Sequence, residues 1–334
     1  MLLRYRSYFE DFRCIASACP DSCCKEWDVL IDPASAEHYL QLDGELGQSL
    51  RHHMKQADGE WYFTITDGRC PMWRQDGLCR IQASLGHDAL CQTCRDFPRL
   101  THDYGDFMEQ GLELSCPEAA RILFSQSAQW IEKEIPGGEA PEYDPWDMEL
   151  LLETRDVMLT ILADTRHSVP EALTLALLYG YRAQEQLDGG DAVEFDPQAE
   201  LAFAKSIAKP GSADKFTAFY ESLEILTDAW RQRLAQPLST GIWDEKLRIL
   251  ASYGVERYWL QAISDFDLVG RVKMILASCL LVRHLGGDLV QTAQLYAKEI
   301  ENNIDNVEAI LEGAYSHPAL TDENLLGLLL EDML

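Results

Sequence analysis

Leu90-Cys91-Gln92-Thr93-Cys94-Arg95-Asp96-Phe97-Pro98-Arg99 sets two thiols on either side of a two-residue loop, a spacing at which consecutive sulfurs turn toward one centre. Outward from it, Cys70-Pro71 and Leu78-Cys79 lie upstream and Ser115-Cys116-Pro117-Glu118 downstream, while Cys14-x4-Cys19-x3-Cys23-Cys24 lies near the start. Nine of the ten cysteines therefore fall between Cys14 and Cys116. The tenth, Cys279, sits inside the apolar run Met274 to Val282 and reads as a core residue.

A chain of 334 residues buries enough surface to fold without disulfides, so the thiols need another explanation. Met1-Leu2-Leu3-Arg4-Tyr5-Arg6 passes straight into Phe9-Glu10-Asp11 without the apolar core of a secretory signal, and the expected compartment is the cytoplasm. Thiols stay reduced there, and dense cysteines point to a metal site. Cys14, Cys19, Cys23, Cys24, Cys70, Cys79, Cys91, Cys94 and Cys116 are the candidate ligands, for an iron-sulfur cluster or for zinc. His87 and His102 lie in the same region but read more simply as ordinary polar residues. Cys116 precedes a helix opened by Ser115 and Glu118 at capping-box spacing, where the helix start is expected to lower its pKa.

The formal net charge is −28, a surface that repels phosphate backbones and excludes nucleic acid as a partner while leaving room for a lysine-bearing protein. The run Met274 to Val282 is far shorter than the roughly 20 residues of a membrane span, so no membrane association is expected. No Gly-x-Gly-x-x-Gly, P-loop, Gly-x-Ser-x-Gly or His-Glu-x-x-His is present.

The expected fold is mainly α: an irregular Cys-rich metal- or cluster-binding module over residues 1–117, with a small β element, packed on an α-helical domain over residues 118–334. Trp27-x-Val29-x-Ile31 and Trp61 to Ile65 alternate as strands, the second stopped by Asp67-Gly68. Asp32-Pro33 opens a helix with Tyr39, Leu42 and Leu46 inward, and residues 81–90 read as a helix broken near Gly86. Further on, periodicity predicts helices over 119–135, 148–163, from Ser168 to Gly189, from Asp196 to Pro210, over 212–234, 244–253, 268–285, 288–302, 304–315 and 323–330. Arg95 and Arg99 stand beside Cys94 as candidate cofactor contacts, able to grip a carboxylate, with pairing to Asp96 or Asp103 as the structural alternative. Tyr253, Glu256, Tyr258 and Trp259 could cradle a cation, though a packed aromatic face is the simpler reading.

Taken together, Cys23-Cys24-x2-Trp27-x-Val29-x-Ile31, Arg69-Cys70-Pro71, Gly77-Leu78-Cys79-Arg80-Ile81-Gln82, Leu90-Cys91-x-Thr93-Cys94-Arg95-x-Phe97-Pro98-Arg99 and Leu114-Ser115-Cys116-Pro117-Glu118 resemble the flagellin lysine-N-methylase family. The same blocks look like a broader group of zinc- or iron-chelating Cys-rich proteins. The methylase resemblance implies methyl transfer from S-adenosylmethionine to flagellin lysines with a [4Fe-4S] cluster, three thiolates leaving one iron open to the cofactor's amino and carboxylate groups. The Cys-x3-Cys-x2-Cys spacing of radical enzymes is absent, because Cys19-x3-Cys23 is followed at once by Cys24. A polar displacement would require a neutral lysine amine and a base to take its proton. The alternative is a zinc-braced binding module or a metal carrier with no enzymatic activity.

Overall fold

The structure is a computed structural model that describes residues 1–25, 29–125, 128–192, 194–239 and 241–333. The chain is mainly helical with small sheets, and its contacts divide it into two compact units. One comprises residues 3–102 and 109–133; the other comprises 1–2, 103–108 and 134–334. The helix that begins at Pro117 belongs to the same unit as the nine clustered cysteines.

All or most of each of these elements lies in the cysteine-bearing unit: β1 (Leu2–Arg6), β2 (Val29–Ile31), α1 (Pro33–Gln41), α2 (Gly44–His53), β3 (Met54–Ala57), β4 (Glu60–Phe63), α3 (Arg80–Leu85), α4 (Gln92–Asp96), β5 (Arg99–Asp103), β6 (Phe107–Leu112), α5 (Pro117–Ser125) and β7 (Trp130–Glu134). β2 and β3 flank β4 antiparallel, with Val29 and Met54 both opposite Phe63. This register aligns Val29, Ile31, Met54 and Phe63 on one buried face while Leu30 points outward, the alternation a half-buried strand requires. Ala36 and Tyr39 of α1 and Leu50 of α2 cover that face, Tyr39 stacking on Phe63 with ring centroids 6.0 Å apart. Leu42 and Leu46 pack against the same cluster, but the helix breaks between them, where Gly44 takes φ +81°. The expected strand at 27–31 is present as β2; Trp27 lies outside the described residues.

Four strands form a second sheet in the order β5-β6-β1-β7. One expectation fails here. No helix continues to Ile135: α5 stops at Ser125, and Trp130–Glu134 is a strand. Its side chains are engaged by β1, with Arg4 3.0 Å from Glu132 and the Arg6 guanidinium 4.3 Å from the Trp130 ring centroid. Tertiary pairing thereby overrides local periodicity.

The other unit is helical: α6 (Pro145–Ala163), α7 (Val169–Leu187), α8 (Pro197–Ile207), α9 (Ala213–Ser222), α10 (Asp228–Leu234), α11 (Lys246–Tyr258), α12 (Leu268–Leu285), α13 (Leu289–Tyr296), a π-turn (Ala297–Glu301), α14 (Ile304–Ser316) and α15 (Asp322–Leu329). The single helix expected over 212–234 is two, because the Thr227 side chain caps a new start at Asp228. α12 is buried on every side, and its charges are internally matched: Arg271 meets Asp265 at 2.8 Å and Lys273 meets Asp322 at 2.9 Å. Cys279 is fully buried within it, as expected of a core residue.

Tyr253, Tyr258 and Trp259 are packed core side chains; the Tyr253 hydroxyl donates to Glu301 at 2.7 Å, and Arg257 lies 3.3 Å from the same carboxylate. The cavity beside them, bounded also by Tyr296, is about 10 Å³, space for one water at most and not for a lysine side chain. The cation-cradle reading therefore gives way to the packed aromatic face. Among the described residues, no helix is long and apolar enough to cross a membrane.

α7 begins as the sequence predicts, the Glu171 carboxylate accepting from the Ser168 backbone N–H at 3.0 Å and pairing with Lys205 at 2.9 Å. Burial alone would raise the Glu171 pKa, but Lys205 and Ser168 outweigh it and hold it at about 2. A carboxylate depressed in the folded state adds stability above its ordinary pKa and loses it as pH falls toward the folded value. Glu171→Gln is expected to cost about 1 kcal/mol at neutral pH, a capping-scale effect moderated by solvent. In denaturant titrations that difference should shrink as pH falls from the usual carboxylate range toward about 2; a pH-independent difference would contradict the assignment.

Candidate metal centre

Hairpin chemistry brings the cysteine segments together. Asp67-Gly68 adopts positive φ at both residues, 52° and 72°, and Thr66 and Arg69 exchange backbone hydrogen bonds of 2.9 and 3.1 Å across it. This is the two-residue turn that Asp-Gly favours. It returns the chain so that the Cys70 N–H donates to the Cys24 carbonyl at 2.7 Å. A second tight turn closes at Gly77, φ +81°, and the bridge between Trp73 and Cys79 carries Cys79 back toward Cys70.

Cys79 and Cys91 are each the last residue before a helix, α3 and α4, and Cys116 precedes α5. All ten cysteines are free thiols. Cys70 and Cys91 belong to the hydrophobic cluster of this unit, and Cys24, Cys79 and Cys94 pack against it. The Cys24 thiol is hydrogen-bonded with both Cys23 and Cys79, and Cys91 is hydrogen-bonded with Cys94. These contacts pull the pKa values of the paired thiols apart. Hydrogen bonding from Cys24 lowers Cys79 to about 6, helped by the amides of Gln82 and Ile81 at the start of α3. Cys23 is lowered by the same Cys24 contact and Cys91 by Cys94, while Cys24 and Cys94, the proton-holding partners, are raised.

Cys70 is pushed up to about 11, chiefly by burial, and lies within electrostatic reach of Cys79, Cys91 and Cys23. Cys19 is raised by burial and by Cys14 and Cys23. Cys116 is a correction. The Ala119 and Glu118 amides do lower its pKa, as a helix start should, but burial is larger and holds the thiol at about 11. At the same helix start Glu118 pairs with Arg121 at 2.7 Å and the Ser115 hydroxyl donates to Glu113.

The nine thiols thus share one electrostatic neighbourhood, linked most closely through Cys23, Cys24, Cys79, Cys91 and Cys94. Contact through a shared thiol is not convergence on a point. Among the described residues, no three Cys, His, Asp or Glu side chains are arranged to hold a single metal ion. A tetrahedral zinc site needs its donors around one point, whereas thiolates of a cluster bind different irons and stand farther apart. The donor set, soft and rich in sulfur, has the chemistry that iron-sulfur clusters and zinc both take.

Arg95 reaches the carbonyls of Asp88 and Leu90 at 3.5 and 3.4 Å, bracing the loop that leads into Cys91. Arg99 lies with its guanidinium 5.1 Å from the Phe12 ring centroid. Tyr39 also supports the loop, its hydroxyl donating to the Ala89 carbonyl at 2.6 Å, and Asp32 accepts from the Gln92 N–H at 2.8 Å. Neither tie is visible in the residue spacing, since each joins positions 50 or more apart.

The chain is 33% identical over 136 residues to the lysine-N-methylase of Salmonella choleraesuis (strain SC-B67), covering 38% of this chain and 34% of that protein. It is 34% identical over 131 residues to the lysine-N-methylase of Salmonella typhimurium (strain LT2), covering 37% and 33%. The match to the flagellar biosynthetic protein FliU of Salmonella muenchen is 34% identical over 125 residues, covering 35% of this chain and 74% of that protein. The matched part of the chain spans about a third of the length of the two lysine-N-methylases. No family model and no solved structure matches the chain. With three quarters of FliU covered at this identity, the chain belongs to the flagellin lysine-N-methylase family.

Proposed function

We propose that this protein is an S-adenosylmethionine-dependent protein-lysine N-methyltransferase, acting on a flagellin-type substrate in the cytoplasm, whose clustered thiols hold an iron-sulfur cluster. The observation that carries the reading is the set of nine free thiols between Cys14 and Cys116, several of them in direct contact. Names of relatives supply the reaction class: two are lysine-N-methylases and one is a flagellar biosynthetic protein. The net charge of −28 suits a lysine-bearing partner and steers it electrostatically.

Cys14, Cys19, Cys23, Cys24, Cys70, Cys79, Cys91, Cys94 and Cys116 remain the ligand candidates, with those in direct thiol contact, Cys23, Cys24, Cys79, Cys91 and Cys94, foremost. A bound [4Fe-4S] cluster on three thiolates would supply an iron open to the amino and carboxylate groups of S-adenosylmethionine. The chain's own part is to hold the ligands as thiolates. Cys79, at about 6, is deprotonated at neutral pH, whereas the protons on Cys24 and Cys94 must leave before they can ligate. Arg95 and Arg99 are assigned to the cofactor carboxylate, a role for which the planar fork of arginine is suited. A lysine amine attacks a methyl group only when neutral, so a base on the chain or in solvent must accept its proton.

Protein purified without air is expected to contain iron and sulfide, to be brown, and to transfer methyl from S-adenosylmethionine to lysines of a flagellin. Cys91→Ser should lose both iron and activity, whereas Cys279→Ser, in the core helix, should keep both. A colourless protein carrying zinc and no methyl transfer would sink the reading in favour of a zinc-braced binding module. In the metal-free protein, alkylation at neutral pH should reach Cys79 well before Cys279, with a rate that falls as pH drops through about 6. Cys279, raised to about 12 by complete burial, should react only on unfolding; equal reactivity of the two would refute the proton placement.

A further inference from the structure

The turn that presents Cys91 and Cys94 is too short to hold its own shape. α4 runs only from Gln92 to Asp96, and a helix of five residues has no independent stability in water. Cys91 occupies the position before its first residue, and its sulfur lies within reach of the Cys94 amide but leaves the Gln92 N–H to another partner. Ordinarily that position belongs to Ser, Thr, Asp or Asn, whose oxygen takes up one of the unpaired N–H groups. Here the oxygen comes from elsewhere. Oδ2 of Asp32 accepts from the Gln92 N–H at 2.8 Å, while Oδ1 of the same carboxylate accepts from the Ser35 N–H at 2.9 Å and caps α1. Beside it, the Thr93 hydroxyl donates to the Leu30 carbonyl at 2.9 Å. Both residues between the two thiols are therefore fastened to the junction of β2 and α1.

Resting on the cluster-binding reading above, we propose that Asp32 is a positioning residue for Cys91 and Cys94: one carboxylate caps α1 and α4 at once, which fixes the turn that carries both sulfurs. The strand-to-helix junction to which it ties the turn is itself rigid, with Ile31 and Tyr39 almost wholly buried on either side. Fixing ligands before the metal arrives removes ordering entropy from binding, and losing the partners that orient a ligand typically costs roughly 10- to 100-fold in metal retention.

Asp32→Ser separates this role from simple helix capping. Serine is a good cap for α1, but it is short and carries a single oxygen, so it cannot also reach Gln92. Full-length wild type, Asp32→Ser and Thr93→Val are reconstituted anaerobically with iron and sulfide, and iron release to a chelator is timed. Amide exchange of Gln92 is followed in the metal-free proteins, together with thermal unfolding. Asp32→Ser is expected to unfold near the wild-type temperature, to exchange Gln92 faster, and to release iron roughly 10- to 100-fold faster; Thr93→Val should change iron release in the same direction. Wild-type iron retention in Asp32→Ser, or unchanged Gln92 exchange, would overturn the inference alone. Wild type that takes up no iron would overturn the cluster reading, and this inference with it.

Discussion

A sulfur can ligate a metal only as a thiolate, and a thiolate near an apolar core survives only if nearby donors replace the water it has lost. This requirement shapes the cysteine-bearing unit. Cys70 and Cys91 lie in its core and Cys24, Cys79 and Cys94 at its edge. Two devices supply donors: a neighbouring thiol and the free amides at a helix start. Cys79 has both, and its pKa falls to about 6. Cys116 is lowered by amides alone, and burial prevails. In each contacting set the hydrogen bond lowers the pKa of at least one thiol and raises that of its partner, which limits like-charge repulsion in a confined space.

The surrounding architecture can be understood as support for that arrangement. α3 and α4 contribute little stability of their own, but each delivers a cysteine at its entrance and both sit close to the small sheet β2-β4-β3. Tyr39 illustrates the coupling: its ring fills the sheet's buried face against Phe63, and its hydroxyl holds the loop before Cys91. A single aromatic residue thus joins core packing to ligand placement. The helical unit follows a different rule, in which α12 is enclosed on all sides and matches each buried cation to a partner.

Much of this was legible in the residues. Asp-Pro and Ser-x-x-Glu starts located α1, α7 and α8, and alternation located β2 and β4, because those signals act over a few residues and have local physical causes. β3 was missed: Met54-Lys55-Gln56-Ala57 lacks β-branched residues, although Asp58-Gly59, with φ of 51° and 87°, marked the turn into β4. β5 and β6 were missed although they are neighbours in both chain and sheet, because the largely polar run Arg99 to Asp103 carries little apolar alternation, and β1 and β7 were missed because they pair across more than 100 residues. The break between α9 and α10 turned on one capping threonine.

By itself, the sequence determined that the chain is mainly helical, that its thiols are concentrated in one region, and which family its cysteine blocks resemble. Composition and spacing settle such matters because they depend on neighbours along the chain. Which thiol keeps its proton, that burial outweighs the helix start at Cys116, and that Asp32 reaches the turn between Cys91 and Cys94 were decided only in three dimensions. Each depends on how much water remains and which donor comes near, and both are set by residues distant in the chain and adjacent in the fold.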